Sequence, residues 1–586
     1  MEAIDLVIIG CGWDGVAMAK TYHEADPTAT IRIIDTADSV GGCWAEERVY
    51  PGLNTNNILS SYEFSDFPMD ASLVGSQPGA HIPGEGVHRY FCEAVRYFDL
   101  ERFLLLQTKV ETATLRDDDL WQLSLSSISS PTSKSTMIAR KLVIATGLTS
   151  EPFMPLFEGQ ESFQGLRIHS KELKPRAEDL SKCQNVVVIG GNKSAWDVCY
   201  SVARRGGKAH MVMRPSGGGP SWVWRRRFKW FGWQTSLPRL TAIRIFSLFD
   251  PWPFIEKGTI WSSVRDFLHQ STLGLAITST FWRLLGQHLC RINGYRDHEG
   301  TEKLEPWAST YWMGNSLSTL NYPSDWFEFA KSGNIQAHHA DVVSLSENSV
   351  NLTDGLIEHV DGLVCCTGWN ALPPIDFQPP ETRELLGIPQ KELQSEAMHS
   401  QKARTWILDK CPQLGNPSRA VKSVVTEEKA ALKERTTPYR LYRYVVPSCE
   451  HFLAAKNLAF IGINFSLHTV ILAQAQALWI TAFFQDKLQH MRGSALDHKQ
   501  ISHDTILQSE YQELRRPKIA GGAGEKFADL VFDSIPYVDL LLRDLGLEAS
   551  RKGSWWRDLV EPYSLRDYKG LVQEWMRSLK KRGVFE

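Results

Sequence analysis

Continuous apolar runs, each followed by glycines and then a helix-compatible stretch, set the first pattern along this chain. Leu6–Ile9 is apolar at every position, as a parallel strand covered on both faces would be. It leads into Gly10, Gly12 and Gly15, a helix-like run from Val16, and a second strand, Ile31–Ile34, that ends at Asp35. The pattern returns at Asn185–Ile189, which runs into Gly190, Gly191, Asn192, Lys193, Ser194 and Ala195. A helix is predicted from there to about Arg205, stopped by Gly206 and Gly207. The next strand, Ala209–Met213, ends at Arg214. A third apolar stretch, Asn457–Gln485, has no Lys, Arg, Asp or Glu and is long enough to span a bilayer. It divides, however, into a strand, Leu458–Ile463, and a helix, Val470–Phe484. Asn464, His468, Gln474 and Gln476 would be costly against lipid, so a buried helix is expected.

The strand–glycine–helix–strand–acid order gives each glycine a task. Gly10 permits the tight turn, Gly12 lets the backbone approach a pyrophosphate, and Gly15 allows close helix–strand contact. The helix N-terminus offers free N–H groups to phosphate, and Asp35 can accept hydrogen bonds from a ribose. The second copy has Asn192 and Ala195 at its second and third glycine positions; asparagine tolerates left-handed backbone angles. It ends its second strand with Arg214 where the first has an acid. An acid suits a free ribose hydroxyl and an arginine a 2′-phosphate, so the first unit reads as an FAD site and the second as an NADPH site. The competing reading of Arg214 is an exposed strand-end charge.

Several local runs refine this. Gly41–Trp44 (GGCW), Tyr50–Asn56 (YPGLNTN), Phe64–Met69 (FSDFPM), Val143–Gly147 (VIATG), Phe163–Ser170 (FQGLRIHS), Val364–Trp369 (VCCTGW) and Ala473–Trp479 (AQAQALW) follow one another in order. In this order the chain resembles the flavin-containing monooxygenases and their Baeyer–Villiger relatives, and its length and Trp-rich middle resemble fungal members of specialised metabolism. The resemblance implies an α/β fold of two Rossmann-like dinucleotide-binding domains, an FAD domain with an inserted NADPH domain. It also implies a cycle in which NADPH reduces FAD, and reduced flavin with molecular oxygen forms a C4a-(hydro)peroxyflavin that oxidises a small apolar substrate, such as a polyketide or alkaloid. Expected FAD-contacting residues are Gly10, Gly12, Gly15, Asp35, Gly42, Trp44, Asn56, Val110 and Gly147; for NADPH they are Gly190, Asn192, Ser194 and Arg214, with Gly368 at the returning strand end.

Asn56 and His169 are the expected catalytic residues. Baeyer–Villiger enzymes carry Asp where this chain has Asn56, so the resemblance points to the heteroatom-oxidising branch, with ketone oxidation as the alternative. The competing reading of Asn56 is a turn-forming residue. His169 has no visible base partner, so a hydrogen-bonded hinge competes with catalysis. Leu173 stands where the family usually has an aromatic residue, and Gln474 where it has Glu.

Composition narrows the remaining classes. The 586 residues carry a net charge of −3, which gives no basic patch for nucleic acid; the run Arg225–Arg227 reads as a solvated face. None of the ten cysteines forms a C-x-x-C pair, which argues against a metal site or a dithiol reductase and for a reducing, cytoplasmic location without a secretory leader. A non-catalytic flavin-binding protein is the other alternative. Ten of the twenty Trp fall between Trp222 and Trp326, where they either line an apolar tunnel or pack the core of a helical insertion. Helix-like stretches there admit interfacial membrane contact, which is not favoured. Expected boundaries are 1–150 and 336–490 for the FAD domain, 151–335 for the NADPH domain with its insertion at about 222–326, and 491–586 for a helical, docked surface tail. Ser124–Thr136 reads as a Ser/Thr-rich loop.

Overall fold

Leu6–Ile9 is buried throughout because it lies at the centre of a five-stranded parallel sheet. The strand order is Leu458–Phe460, Leu142–Ile144, Leu6–Ile9, Ile31–Ile34 and Leu104–Leu105. This computed structural model describes residues 2–130, 132–230, 232–254, 260–417 and 435–583. A second five-stranded parallel sheet repeats the arrangement in the order Leu166–His169, Gly362–Cys365, Asn185–Ile189, Lys208–Met213 and Ile335–His339. The protein is thus an α/β fold of two Rossmann-like units, as its apolar runs predicted.

The second sheet takes in Ile335–His339 and Gly362–Cys365. The boundary expected at 335/336 therefore falls inside this unit, which closes only near Cys366. Neither strand carries a glycine-rich turn, so nothing local marks its sheet. The chain crosses between units through two extended segments, Glu151–Pro152 and Trp369–Asn370, which pair antiparallel. Ser124–Thr136 is mostly not a loop: Trp121–Ser127 and Lys134–Ala139 pair as strands, Ser124 opposite Thr136. Half-buried Gln122 and Ser124 alternate with buried Trp121, Leu123 and Leu125, which suits a half-covered sheet.

The helix Thr469–Phe484 is buried at every position from Val470 to Phe484, packed between the first nucleotide helix, Trp13–Ala25, and the helix Ser534–Asp544. Its amides are paired inside protein. Gln474 Nε2 donates to Ser65 Oγ at 2.8 Å, and Gln476 Nε2 donates to the Tyr537 hydroxyl at 2.8 Å. Among the described residues no helix is long and apolar enough to cross a membrane.

The Trp-rich insertion enters and leaves through parallel neighbours, Trp222–Arg225 and Leu317–Leu320. It is not wholly helical; a short hairpin, Phe228–Trp230 with Trp233–Thr235, precedes the long helix Thr272–Asn293. Seven of its tryptophans, 222, 224, 252, 282, 307, 312 and 326, are buried, which is core packing. The C-terminal region is no surface tail. Ala528–Asp529 pairs with Asn464–Phe465, and Arg515 reaches Asp250 of the insertion and the Tyr311 carbonyl.

Candidate active site

At the first glycine turn the backbone leaves no room for side chains. Gly10 has φ +117°, and a Cβ there would collide with the Ala145 carbonyl; one on Gly15 would collide with the Gly10 carbonyl. Gly12 caps the helix Trp13–Ala25 without any side-chain hydrogen bond, so the first N–H groups stay available. These groups border a cavity of about 780 Å³. Gly10, Gly12, Asp35, Gly42, Val110 and Gly147 all line it, while Gly15, Trp44 and Asn56 stand outside the lining. Gly42 and Gly147 both have positive φ, +62° and +66°, which other residues rarely adopt. Trp44 is buried and donates its indole N–H to the Tyr62 hydroxyl at 3.0 Å, placing the Tyr62 ring on the cavity wall.

Asp35 is held by two backbone donors: the Cys11 N–H at 2.6 Å and the Ala37 N–H at 3.0 Å. Burial raises its pKa and these N–H groups oppose the rise. Each carboxylate oxygen keeps a lone pair for a ribose hydroxyl. Three buried polar atoms of residues lining this cavity, Trp13 Nε1, Thr146 Oγ1 and Asn464 Nδ2, have no partner among the described residues, and neither has Asn56 Oδ1. Buried polar groups are nearly always paired. The bare turn, the acid at the strand end and these unpaired atoms fit a bound dinucleotide such as FAD.

The second turn has the same geometry. Gly190 has φ +138° and packs on Cys366, and Gly191 packs on Gly219. Asn192 caps the helix Lys193–Arg204 at φ −98° and ψ −179°. It is extended, so the left-handed tolerance invoked for asparagine is not used. An N-cap residue adopts β-region angles, which any side chain permits. Ser194 is half-buried in the first turn, and Arg214 is exposed at the strand end, forming no ion pair among the described residues.

His169 does not have the geometry of a catalytic base. Its Nδ1 accepts the Lys171 N–H at 3.1 Å, which leaves the proton on Nε2, donated to the Gly368 carbonyl at 3.1 Å. Both ring nitrogens are thus spent on backbone, and burial lowers the pKa, keeping the ring neutral. The imidazole also meets Trp369 edge-on, with centroids 4.9 Å apart. It joins the strand Leu166–His169 to the returning segment at Gly368.

Sequence reasoning missed three groups. Asp14 lines the large cavity, and burial pushes its carboxyl up to about 7. It occupies a variable place between glycines, so the motif gave it no weight. Arg48 also lines this cavity and donates to the Thr149 carbonyl at 3.0 Å. The third group links the units: Tyr50 and Tyr322 both donate to Asp197, which also pairs with Lys193. Asn321 Nδ2 donates to the Asn54 carbonyl at 2.9 Å. Only their contact in space reveals them.

Two glycine-turn units, joined by a paired two-strand linker and facing a deep cavity, define a two-dinucleotide-fold flavoprotein. Residues 7–221 match the family described as pyridine nucleotide-disulphide oxidoreductase. An FAD-dependent monooxygenase of Aspergillus nomiae is 31% identical, covering 99% of both chains. One of Pyrenophora dematioidea is 33% identical over 94% of this chain and 98% of its own. Among solved structures, open cyclohexanone monooxygenase aligns with TM-score 0.56 and 16% identity over 93% of this chain and 98% of its own. An S-allyl-L-cysteine S-oxygenase of Allium sativum aligns with TM-score 0.51 and 16% identity, over 99% and 94%. These two share the fold. The chain belongs to the FAD-dependent monooxygenases and is an oxidoreductase.

Proposed function

We propose that this enzyme uses NADPH and O2 to place one oxygen atom into a small apolar organic substrate of specialised metabolism, in a reducing cytoplasmic compartment. Bound FAD would supply the two-electron chemistry that takes hydride from nicotinamide and activates oxygen. The chain's own residues do the rest. Gly10 and Gly12 admit the pyrophosphate against the free N–H groups of the helix Trp13–Ala25, and Asp35 holds a ribose. Gly190, Asn192 and Ser194 perform the first of these tasks for NADPH, and Arg214 meets its 2′-phosphate. Asn56 offers a neutral amide that donates and accepts without adding charge. His169 keeps the linker closed rather than moving protons. The buried walls around the cavity exclude water, which limits wasteful loss of peroxide.

The observation that carries this reading is the acid at one strand end, Asp35, against the arginine at the other, Arg214. The purified protein is expected to be yellow, to bleach with NADPH without oxygen, and to give product carrying one atom of labelled O2. A flavin left oxidised by NADPH would overturn it.

A further inference from the structure

A second cavity, of about 480 Å³, lies between the end of the strand Asn54–Ile58, the insertion's stretch 234–239, the N-terminus of the helix Thr469–Phe484, and the C-terminal stretch 562–565. It adjoins the flavin cavity closely. His468 lines the smaller space and Thr469, the next residue, lines the larger. Asn57, neighbour of Asn56, lines the smaller one and donates to the Leu467 carbonyl at 2.9 Å. A molecule seated here is therefore one residue away from the FAD site.

The lining has a definite charge. Arg227 and Arg239 both border the cavity and are exposed, which places them at its opening. Neither forms an ion pair among the described residues, and no Asp or Glu lines the space. Leu59, Ile471 and Leu565 supply an apolar wall.

His468 adds a buried polar contact. It is only 9% exposed, and burial lowers its pKa to about 4, so the ring is neutral near pH 7. Its Nε2 lies 3.0 Å from Thr241 Oγ1. That hydroxyl also faces the carbonyls of Leu237 and Pro238, each at 3.2 Å. Carbonyls only accept, so the single hydroxyl proton goes to them and His468 Nε2–H donates to Thr241. Nδ1 is left with a bare lone pair.

We infer that this cavity is the substrate chamber and that it selects a small organic anion, a carboxylate or ionised enol on an apolar body. The anionic group is held at Arg227 and Arg239, and the body lies against the apolar wall, with His468 Nδ1 accepting a hydrogen bond deeper in. This rests on the monooxygenase reading above, because the chamber's use depends on the adjoining flavin.

The test is calorimetric titration of the purified holoenzyme with 2-naphthoate and with its neutral isostere 2-naphthamide, at low salt. Naphthoate is expected to bind about tenfold or more tightly than the amide, a charge-assisted difference. R227A/R239A, which changes two exposed residues, is expected to erase that preference. Equal affinity for the two probes, no binding of naphthoate, or a preference that survives in R227A/R239A would each overturn the inference. Bleaching of the wild-type flavin by NADPH is read on the same preparation. Bleaching with no anion preference sinks the chamber alone, and absent bleaching sinks the monooxygenase reading, whatever naphthoate does.

Discussion

The phenol of Tyr50 donates to Asp197 Oδ2 at 2.9 Å, joining the segment that carries Asn56 to the helix of the second nucleotide unit. Asp197 also accepts from Tyr322 at 2.8 Å and pairs with Lys193, whose Nζ lies 3.0 Å from Asn321 Oδ1. Asn321 in turn holds the backbone at Asn54 and Thr55. This ring of contacts sets where the two units sit with respect to each other. Tyr50→Phe is expected to leave flavin content unchanged and slow flavin reduction by NADPH several-fold. A double-mutant cycle with Asp197→Asn should give a coupling of about 1–2 kcal/mol in thermal stability. Additive effects would mean that the bond does not couple the units.

Arg214 is exposed and forms no ion pair among the described residues, and its strand end matches that of Asp35 in the first unit. Loss of a guanidinium from a phosphate removes charge-assisted hydrogen bonds of about 1.5–3 kcal/mol. Arg214→Ala is therefore expected to raise KM for NADPH about tenfold or more and leave KM for NADH unchanged. Parallel loss with both nucleotides would refute the 2′-phosphate contact.

The insertion and the C-terminal region are locked by buried charge. Arg515 and Asp250 are both fully buried and paired. Among the described residues no donor reaches Asp250 Oδ2 or Asp533 Oδ1, and burial beside Asp250 raises the Asp533 pKa well above the carboxylate range. Asp533 thus keeps a proton for Asp250, which Arg515 and Arg516 hold ionised. Arg515→Met removes the direct partner of a buried charge and leaves Asp250 to Arg516 and Asp533 alone, at a cost of up to about 3–5 kcal/mol. The melting temperature should fall by several degrees, and adding Asp250→Leu should recover part of the loss. A single variant as stable as the wild type would show the pair to be dispensable.

Where function needs a particular backbone shape, the sequence displayed it. Gly10 and Gly190 were legible because their φ values exclude other residues, and Leu6–Ile9 because both faces of its sheet are covered. Asp35 and Arg214 stand directly after their strands, the placement that the apolar runs predicted. The strands at 335 and 362 were not, since membership of a sheet depends on partners more than a hundred residues away. His169 was found by its motif, but its chemistry was not: only the positions of the Lys171 N–H and the Gly368 carbonyl fix both ring nitrogens. The cavity beside His468 was hidden for the same reason, as four distant segments build it. Arg227 is exposed, as its run implied, and only the fold shows that it lines the same cavity as Arg239.

Asp14 gives the protein a pH dependence of known sign. Its carboxyl titrates near 7 in the folded chain, because burial penalises the charged form, against 3.8 in the unfolded chain. Between about pH 4 and 7 the folded state therefore binds the extra proton, and stability falls as pH rises. The contribution is fully present below the unfolded value and lost once pH passes the folded one. Asp14→Asn removes the titration and keeps the shape of the side chain. The variant should melt close to the wild type at pH 4 and several degrees above it at pH 8. Asp14 is half-buried, and its partial exposure limits the gain to ~1–2 kcal/mol. Melting curves across this range decide it: a difference that does not grow with pH would mean that Asp14 is ionised throughout, facing the same space as the pyrophosphate.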